Sequence, residues 1–148
     1  AWALGEVGDE GAVSALTAVL TDENAALRLR ATWAIGSIEP RSAPPALFAR
    51  LADPEPRVRR AAAWAIRAIE DPAAVPALRT ALRNERDTDL RTAYVRALAG
   101  LGERSVDAIR ELLDSPDPAV REQAVRALAG RSGGDAWPWP WPDPRPYP

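Results

Sequence analysis

Residues Val58–Ile69 read VRRAAAWAIRAI, and this phrase recurs along the whole chain. Leu27–Ile38 (LRLRATWAIGSI) repeats it upstream; Leu90–Leu101 (LRTAYVRALAGL) and Val120–Arg131 (VREQAVRALAGR) repeat it downstream. Ala1–Val7 (AWALGEV) matches its second half alone. The four full copies begin at residues 27, 58, 90 and 120, so the spacing is 31, 32 and 30 residues. Self-similarity at such a period marks a stacked array of one supersecondary unit, each unit burying its apolar face against its neighbours.

With the first apolar residue of a copy as offset zero, apolar residues return at offsets four, seven, eight and eleven. In the second copy these are Ala62, Ala65, Ile66 and Ile69. That is a helical stripe facing a core. A second stripe accompanies each copy: Val13, Leu16, Leu20; Leu47, Leu51; Val75, Leu78, Leu82; and Val106, Ile109, Leu113. Each repeat is therefore predicted to be two antiparallel helices. Turn clusters separate them at Gly8-Asp9, Asp22–Asn24, Asp53-Pro54, Asp71-Pro72, Gly102-Glu103 and Ser115–Pro118. Proline and aspartate at such places end one helix and cap the next. Helices are expected near 1–7, 11–20, 24–38, 43–51, 55–69, 73–83, 87–101, 104–113 and 117–130.

Composition narrows the chemistry. The 148 residues contain no Cys, His or Met, and all 19 basic residues are arginine. No disulfide framework is available. With no Met, and with Ala1 in mid-pattern, the sequence is expected to be a fragment or a processed product. No apolar run reaches the roughly 20 residues that span a bilayer. The net charge of −2 comes from interspersed acids and arginines, unlike the concentrated basic face of a nucleic-acid binder. There is no His or Cys for a general base or thiolate and no Lys for a Schiff base. Acid pairs such as Asp87/Asp89 and Asp114/Asp117 fall in turns, where capping explains them. No zinc or EF-hand spacing occurs, so no catalytic residue, cofactor or metal is expected.

The phrase Asp53–Ile66 (DPEPRVRRAAAWAI), followed by Asp71–Leu78 (DPAAVPAL), resembles the short HEAT-like repeats also named after phycobilisome lyases. The resemblance covers residues 1 to about 131. It implies an all-α fold, a right-handed alpha-alpha superhelix of about four helix pairs plus a half repeat. It also implies that the second helix of each pair lines the concave face. Its functional implication is protein binding in general, because the fold serves many roles.

Two series invite a functional reading. Arginine stands at offset one in every copy (Arg28, Arg59, Arg91, Arg121), and Asp22 and Asp53 stand five residues before offset zero. An anion-binding ladder is one reading; a structural ladder of Asp–Arg contacts between successive turns is the expected one. Offset six runs Trp2, Trp33, Trp64, Arg96, Arg126. It lies outside the core stripe, and the resemblance turns it to the concave surface. Either it forms an exposed aromatic ribbon ending in guanidiniums, or the indoles pad the groove between neighbouring second helices. Exposed aromatic patches mark interaction sites.

The repeat pattern stops after Gly130, which divides the chain into a solenoid (1–131) and a linker with a Trp/Pro-rich tail (132–148). The tail, AWPWPWPDPRPYP from Ala136, carries Trp137, Trp139, Trp141 and Tyr147. Its alternating prolines favour extended polyproline II. Such segments dock on aromatic-lined grooves. Three polyproline II residues advance roughly 9 Å, close to the roughly 8–10 Å between packed helices. An unstructured linker toward another domain is the competing reading. Ala3, Leu4 and Val7 at one end and Val120, Ala124 and Leu128 at the other are expected to lack covering helices. Open complementary ends allow head-to-tail stacking. The expected function is thus a non-enzymatic, self-assembling structural subunit whose partners are copies of itself, latched by the tail. The alternative is a monomeric scaffold binding a polypeptide on its Trp/Arg face. Neither reading involves nucleic acid or a membrane.

Overall fold

A computed structural model describes residues 2–129, with side chains from residue 10 onward. Eight α-helices and no strands occur among the described residues. They alternate as first and second helices of four pairs: α1 (Trp2–Val19) with α2 (Ala25–Ile38), α3 (Pro45–Ala49) with α4 (Pro56–Ile69), α5 (Val75–Asn84) with α6 (Thr88–Ala99), and α7 (Val106–Glu111) with α8 (Pro118–Leu128). Each first helix packs on its own second helix, and α2, α4, α6 and α8 pack side by side in order. This is the expected all-α solenoid.

The turns follow from local chemistry. Asn24, Glu55, Asp87 and Asp117 cap α2, α4, α6 and α8, each accepting a backbone N–H of the first turn. Pro56 and Pro118 stand in the first turn, where a missing amide costs nothing. Offset twelve adopts the left-handed conformation in three successive repeats: Glu39 (φ 52°), Glu70 (φ 57°) and Gly102 (φ 71°). Only the third is the residue that suits it. The first helices are shorter than expected because 3-10 turns take over at Arg50–Ala52, Pro72–Ala74, Gly102–Ser105 and Leu112–Asp114.

One expected turn is absent. α1 runs without a break through Gly8-Asp9, since no proline there removes a backbone donor and the glycines Gly5, Gly8 and Gly11 weaken the helix without ending it. The half-repeat and the following helix are one element. The tail and the side chains of Ala3, Leu4 and Val7 lie outside the described residues.

Leu47, Val58, Ile66, Leu78, Leu90, Leu98 and Ile109 form the spine of the core. Alanines (Ala31, Ala62, Ala65, Ala97, Ala124) line the contacts between second helices, letting their backbones approach closely. The stripe fails at one place. Offset zero is buried at Val58, Leu90 and Val120, but Leu27 is 43 % exposed. At the other end Val120 and Ala124 are buried, against expectation, because the third repeat covers them. Val125 and Leu128 are the exposed apolar residues there.

Candidate protein-binding site

Second helices carry two recurring side-chain series. At the loop edge, offset one builds a ladder. Arg28 donates from Nε and NH2 to both carboxylate oxygens of Asp53 (2.9 and 3.1 Å), a bidentate pair. Its NH1 donates to the carbonyls of Asp22 and Glu23 in its own loop. Arg59 repeats the motif with Glu85 Oε2 (2.9 Å) and the Asp53 carbonyl (2.7 Å). Arg91 repeats it with Asp117 Oδ2 (3.2 Å) and the Glu85 carbonyl (2.6 Å). Each arginine therefore joins its own loop to the loop of the following repeat. The ladder is structural and is no open anion site.

Asp53 is the most enclosed rung. It also accepts from Arg50 NH1 (2.9 Å) and the Glu55 amide (2.9 Å). Burial pushes its carboxyl up, but the hydrogen bonds from Arg28 and Glu55 and the two guanidinium charges outweigh that and hold it below the usual range. Glu85, at the position of Asp22 and Asp53 one repeat on, is a rung that the sequence reading missed. Its Oε2 also accepts the Tyr94 hydroxyl (3.1 Å). Burial, then the Glu85 charge, raises the Tyr94 pKa. The last arginine, Arg121, donates to the Ser115 carbonyl (2.6 Å) and has no carboxylate partner among the described residues.

At offset six, two indoles come together. Trp33 and Trp64 stack with centroids 4.4 Å apart and planes 7° from parallel. Gly36 makes the approach possible. A Cβ there would lie 2.5 Å from the Trp64 ring and 2.8 Å from the Ala65 Cβ. Trp33 is only 6 % exposed, so the expectation of a fully exposed ribbon fails for it: the neighbouring repeat covers it. Its Nε1 is buried without an acceptor. Trp64 is half-buried.

The series continues in charge. Arg96 is half-buried, and among the described residues its guanidinium makes no hydrogen bond or ion pair. Burial and the nearby charges of Arg67 and Arg126 lower its pKa. Arg126 is exposed and pairs with Glu122. The structure thus brings Trp33 onto Trp64 and Arg96 near Arg126. The side chain of Trp2 and the tail residues Trp137, Trp139, Trp141 and Tyr147 lie outside what it describes. Among the described residues no three His, Cys, Asp or Glu side chains gather as metal ligands.

The model for HEAT repeats matches residues 15–99 and 81–138, and the model for the PBS lyase HEAT-like repeat matches residues 1–22. The chain belongs to the HEAT-repeat family. HEAT repeats mediate protein–protein contact, and this chain is a protein-interaction solenoid. Among solved structures it is similar to human deoxyhypusine hydroxylase in complex with glycerol, with 25 % identity and a TM-score of 0.69 over 80 % of this chain and 43 % of that one. It is also similar to the complex of CpcE and CpcF of phycocyanin lyase from Nostoc sp., with 29 % identity and a TM-score of 0.66 over 88 % and 57 %. An engineered protein, 23 % identical with a TM-score of 0.54 over 80 % and 62 %, shares the fold. The chain spans about half the length of the two natural proteins. No curated protein matches it. Two of these neighbours bear enzyme names, so the HEAT fold alone does not make a chain non-catalytic.

Proposed function

We propose that this chain is a non-enzymatic structural subunit that stacks on copies of itself through its two end faces, each copy's Trp-Pro tail lying on the Trp/Arg face of the next. The observation that supports stacking is a mismatch between equivalent positions. Offset five is buried at Thr32, Ala63 and Val95, each covered by the following repeat, whereas Val125 is 56 % exposed beside Leu128. The opposite end shows exposed Leu27. Polar groups match this among the described residues: Arg121 lacks the carboxylate that Arg28, Arg59 and Arg91 have, and the Asp22 carboxylate accepts only the Asn24 amide (2.8 Å). A second copy placed one repeat on would complete the rung and cover the apolar residues, a heterologous contact that propagates. The non-enzymatic part rests on this chain's residues: no His, Cys or Lys is present, and Asp53, Glu55, Glu85, Asp87 and Asp117 are engaged in caps and rungs.

The second reading is a monomeric scaffold that takes a foreign polypeptide on Trp64 and Arg96. It is favoured by the fact that this face is complete within one copy. Sedimentation velocity and negative-stain electron microscopy across a concentration series separate the two. Concentration-dependent rods, lost in Val125→Asp with helicity retained, support stacking. A monomer at every concentration overturns it and leaves the scaffold.

A further inference from the structure

We infer that Ser115 is a modification site: a phosphoryl group on its hydroxyl supplies the anion that the ladder omits at the fourth repeat, facing Arg91. The inference goes beyond the stacking reading and stands without it. The first support is register. Five residues before offset zero stand Asp22, Asp53, Glu85 and Ser115. In the second and third repeats that acid holds an arginine, and a second acid two residues on caps the helix: Asp53 with Glu55, Glu85 with Asp87. The fourth repeat keeps the capping acid, Asp117, but has Ser115 in the place of the other.

The second support is geometry. Asp53 follows a 3-10 turn with φ −59° and ψ 139°; Ser115 follows one with φ −60° and ψ 138°. Asp53 Oδ1 accepts the Glu55 amide, and Ser115 Oγ accepts the Asp117 amide (3.3 Å) in the same way. The carbonyl of each accepts NH1 of the arginine six residues on, Arg59 or Arg121. Ser115 Oγ therefore stands where Asp53 has Oδ1. What it lacks is the charge and the second oxygen, the counterpart of the Oδ2 that takes Arg28 Nε.

The third support is how Arg91 compensates. Arg28 and Arg59 turn Nε to the acid and NH1 to their own loop. Arg91 is reversed: Nε goes to the Glu85 carbonyl, and NH1 makes one bond to Asp117 Oδ2 (3.2 Å). Asp117 already accepts the Ala119 amide and the Thr88 hydroxyl (3.0 Å each), so this rung is borrowed from a cap. Arg121, on the Ser115 carbonyl, brings a second guanidinium that holds no carboxylate among the described residues. A phosphate with three acceptor oxygens suits two such arginines. Ser115 is half-buried between exposed Asp114 and Pro116, and it is the one Ser or Thr of the chain that proline follows. The reaction is phosphoryl transfer from a nucleoside triphosphate on a serine kinase. The Ser115 oxygen bonds the γ-phosphorus, the bond from that phosphorus to the bridging oxygen breaks, the nucleoside diphosphate leaves, and the hydroxyl proton passes to the kinase's base.

Thermal melts of the dilute full chain test the missing anion. Ser115→Asp, which restores the residue of the second repeat, should melt about 3 °C above Ser115→Asn, although it adds an acid beside Asp114 and Asp117. Arg91→Gln should abolish that difference. Equal melting of the two variants, or a difference that survives Arg91→Gln, would overturn the anion at this rung. Phosphoserine incorporated in place of Ser115 should raise the melting temperature at least as much, again only with Arg91 present; a fall would overturn the inference. The modification itself is read by mass spectrometry, after the folded chain is incubated with ATP and a serine kinase selected for phosphorylating the free peptide 111–121. Phosphate on Ser115 is the expected result. Its absence from the folded chain, with the peptide modified, would mean that the fold withholds the hydroxyl and would overturn the site.

Discussion

Val95 and Val125 occupy the same place in successive repeats, yet one is 1 % exposed and the other 56 %. Their own helices are alike in sequence and cap. The difference comes from what lies next in the stack. Burial in this molecule is conferred laterally, repeat upon repeat, as in a one-dimensional array. Arg91 and Arg121 teach the same lesson in polar terms, one with a carboxylate from the following loop and one without.

Val95→Asp against Val125→Asp tests this most severely. A charge buried at position 95 should cost about 4 kcal/mol or more. The same change at 125 should leave the melting temperature of the dilute protein within a degree or two, the small effect usual for a surface site. Equal losses in thermal melts would show that burial is set within each repeat. Next comes Asp53→Asn, which leaves Arg28 and Arg50 without their carboxylate and should cost about 3 kcal/mol. Asp22→Asn, at the equivalent place where the carboxylate bonds no arginine among the described residues, should cost about 0.5 kcal/mol or less. Urea unfolding of both variants checks the ratio. Acid should separate them too. The carboxyl of Asp53 has a folded pKa below its unfolded value of about 3.9. Its contribution is present above that value and is lost as pH falls through the folded one. The stability of Asp53→Asn should therefore decline less than that of the parent below about pH 4.

Gly36→Ala should cost about 1–3 kcal/mol, since the new methyl meets Trp64 and the Ala65 backbone and the two helices must part. Gly100→Ala, where the nearest atom outside its own helix is the Arg67 Cγ at 3.3 Å, should be far milder. The smallest effect expected is a gain. Glu70→Gly should stabilise by about 1 kcal/mol, because the left-handed turn at offset twelve then carries the residue that Gly102 already provides. Calorimetry would read it.

What could be read from the sequence follows the same divide. Period, stripe, turns and the Asp–Arg ladder were legible because each is a relation within a repeat or a residue type recurring between repeats. Glu85 escaped because only aspartates were sought at that position, although a carboxylate is what the arginine needs. The sequence left two readings of Trp33 open, an exposed ribbon or padding between second helices, and could not choose between them for a deeper reason. Helical periodicity sees a helix's own partner, whereas Trp33 is covered by Trp64 of the next pair, through a gap that Gly36 alone opens. The unbroken α1 was misread because Gly8-Asp9 resembles the other turns in composition, but it has none of their prolines or caps.

The direction of the ladder has a consequence for how the chain comes into being. Each rung joins an arginine to a carboxylate 25 or 26 residues later in the sequence. A ribosome delivers the arginine first, so every repeat emerges with its loop edge unfinished and is locked only when the following loop appears. Synthesis and locking proceed in step, one repeat apart. Arg121 remains at the leading edge in the condition that each earlier arginine passed through.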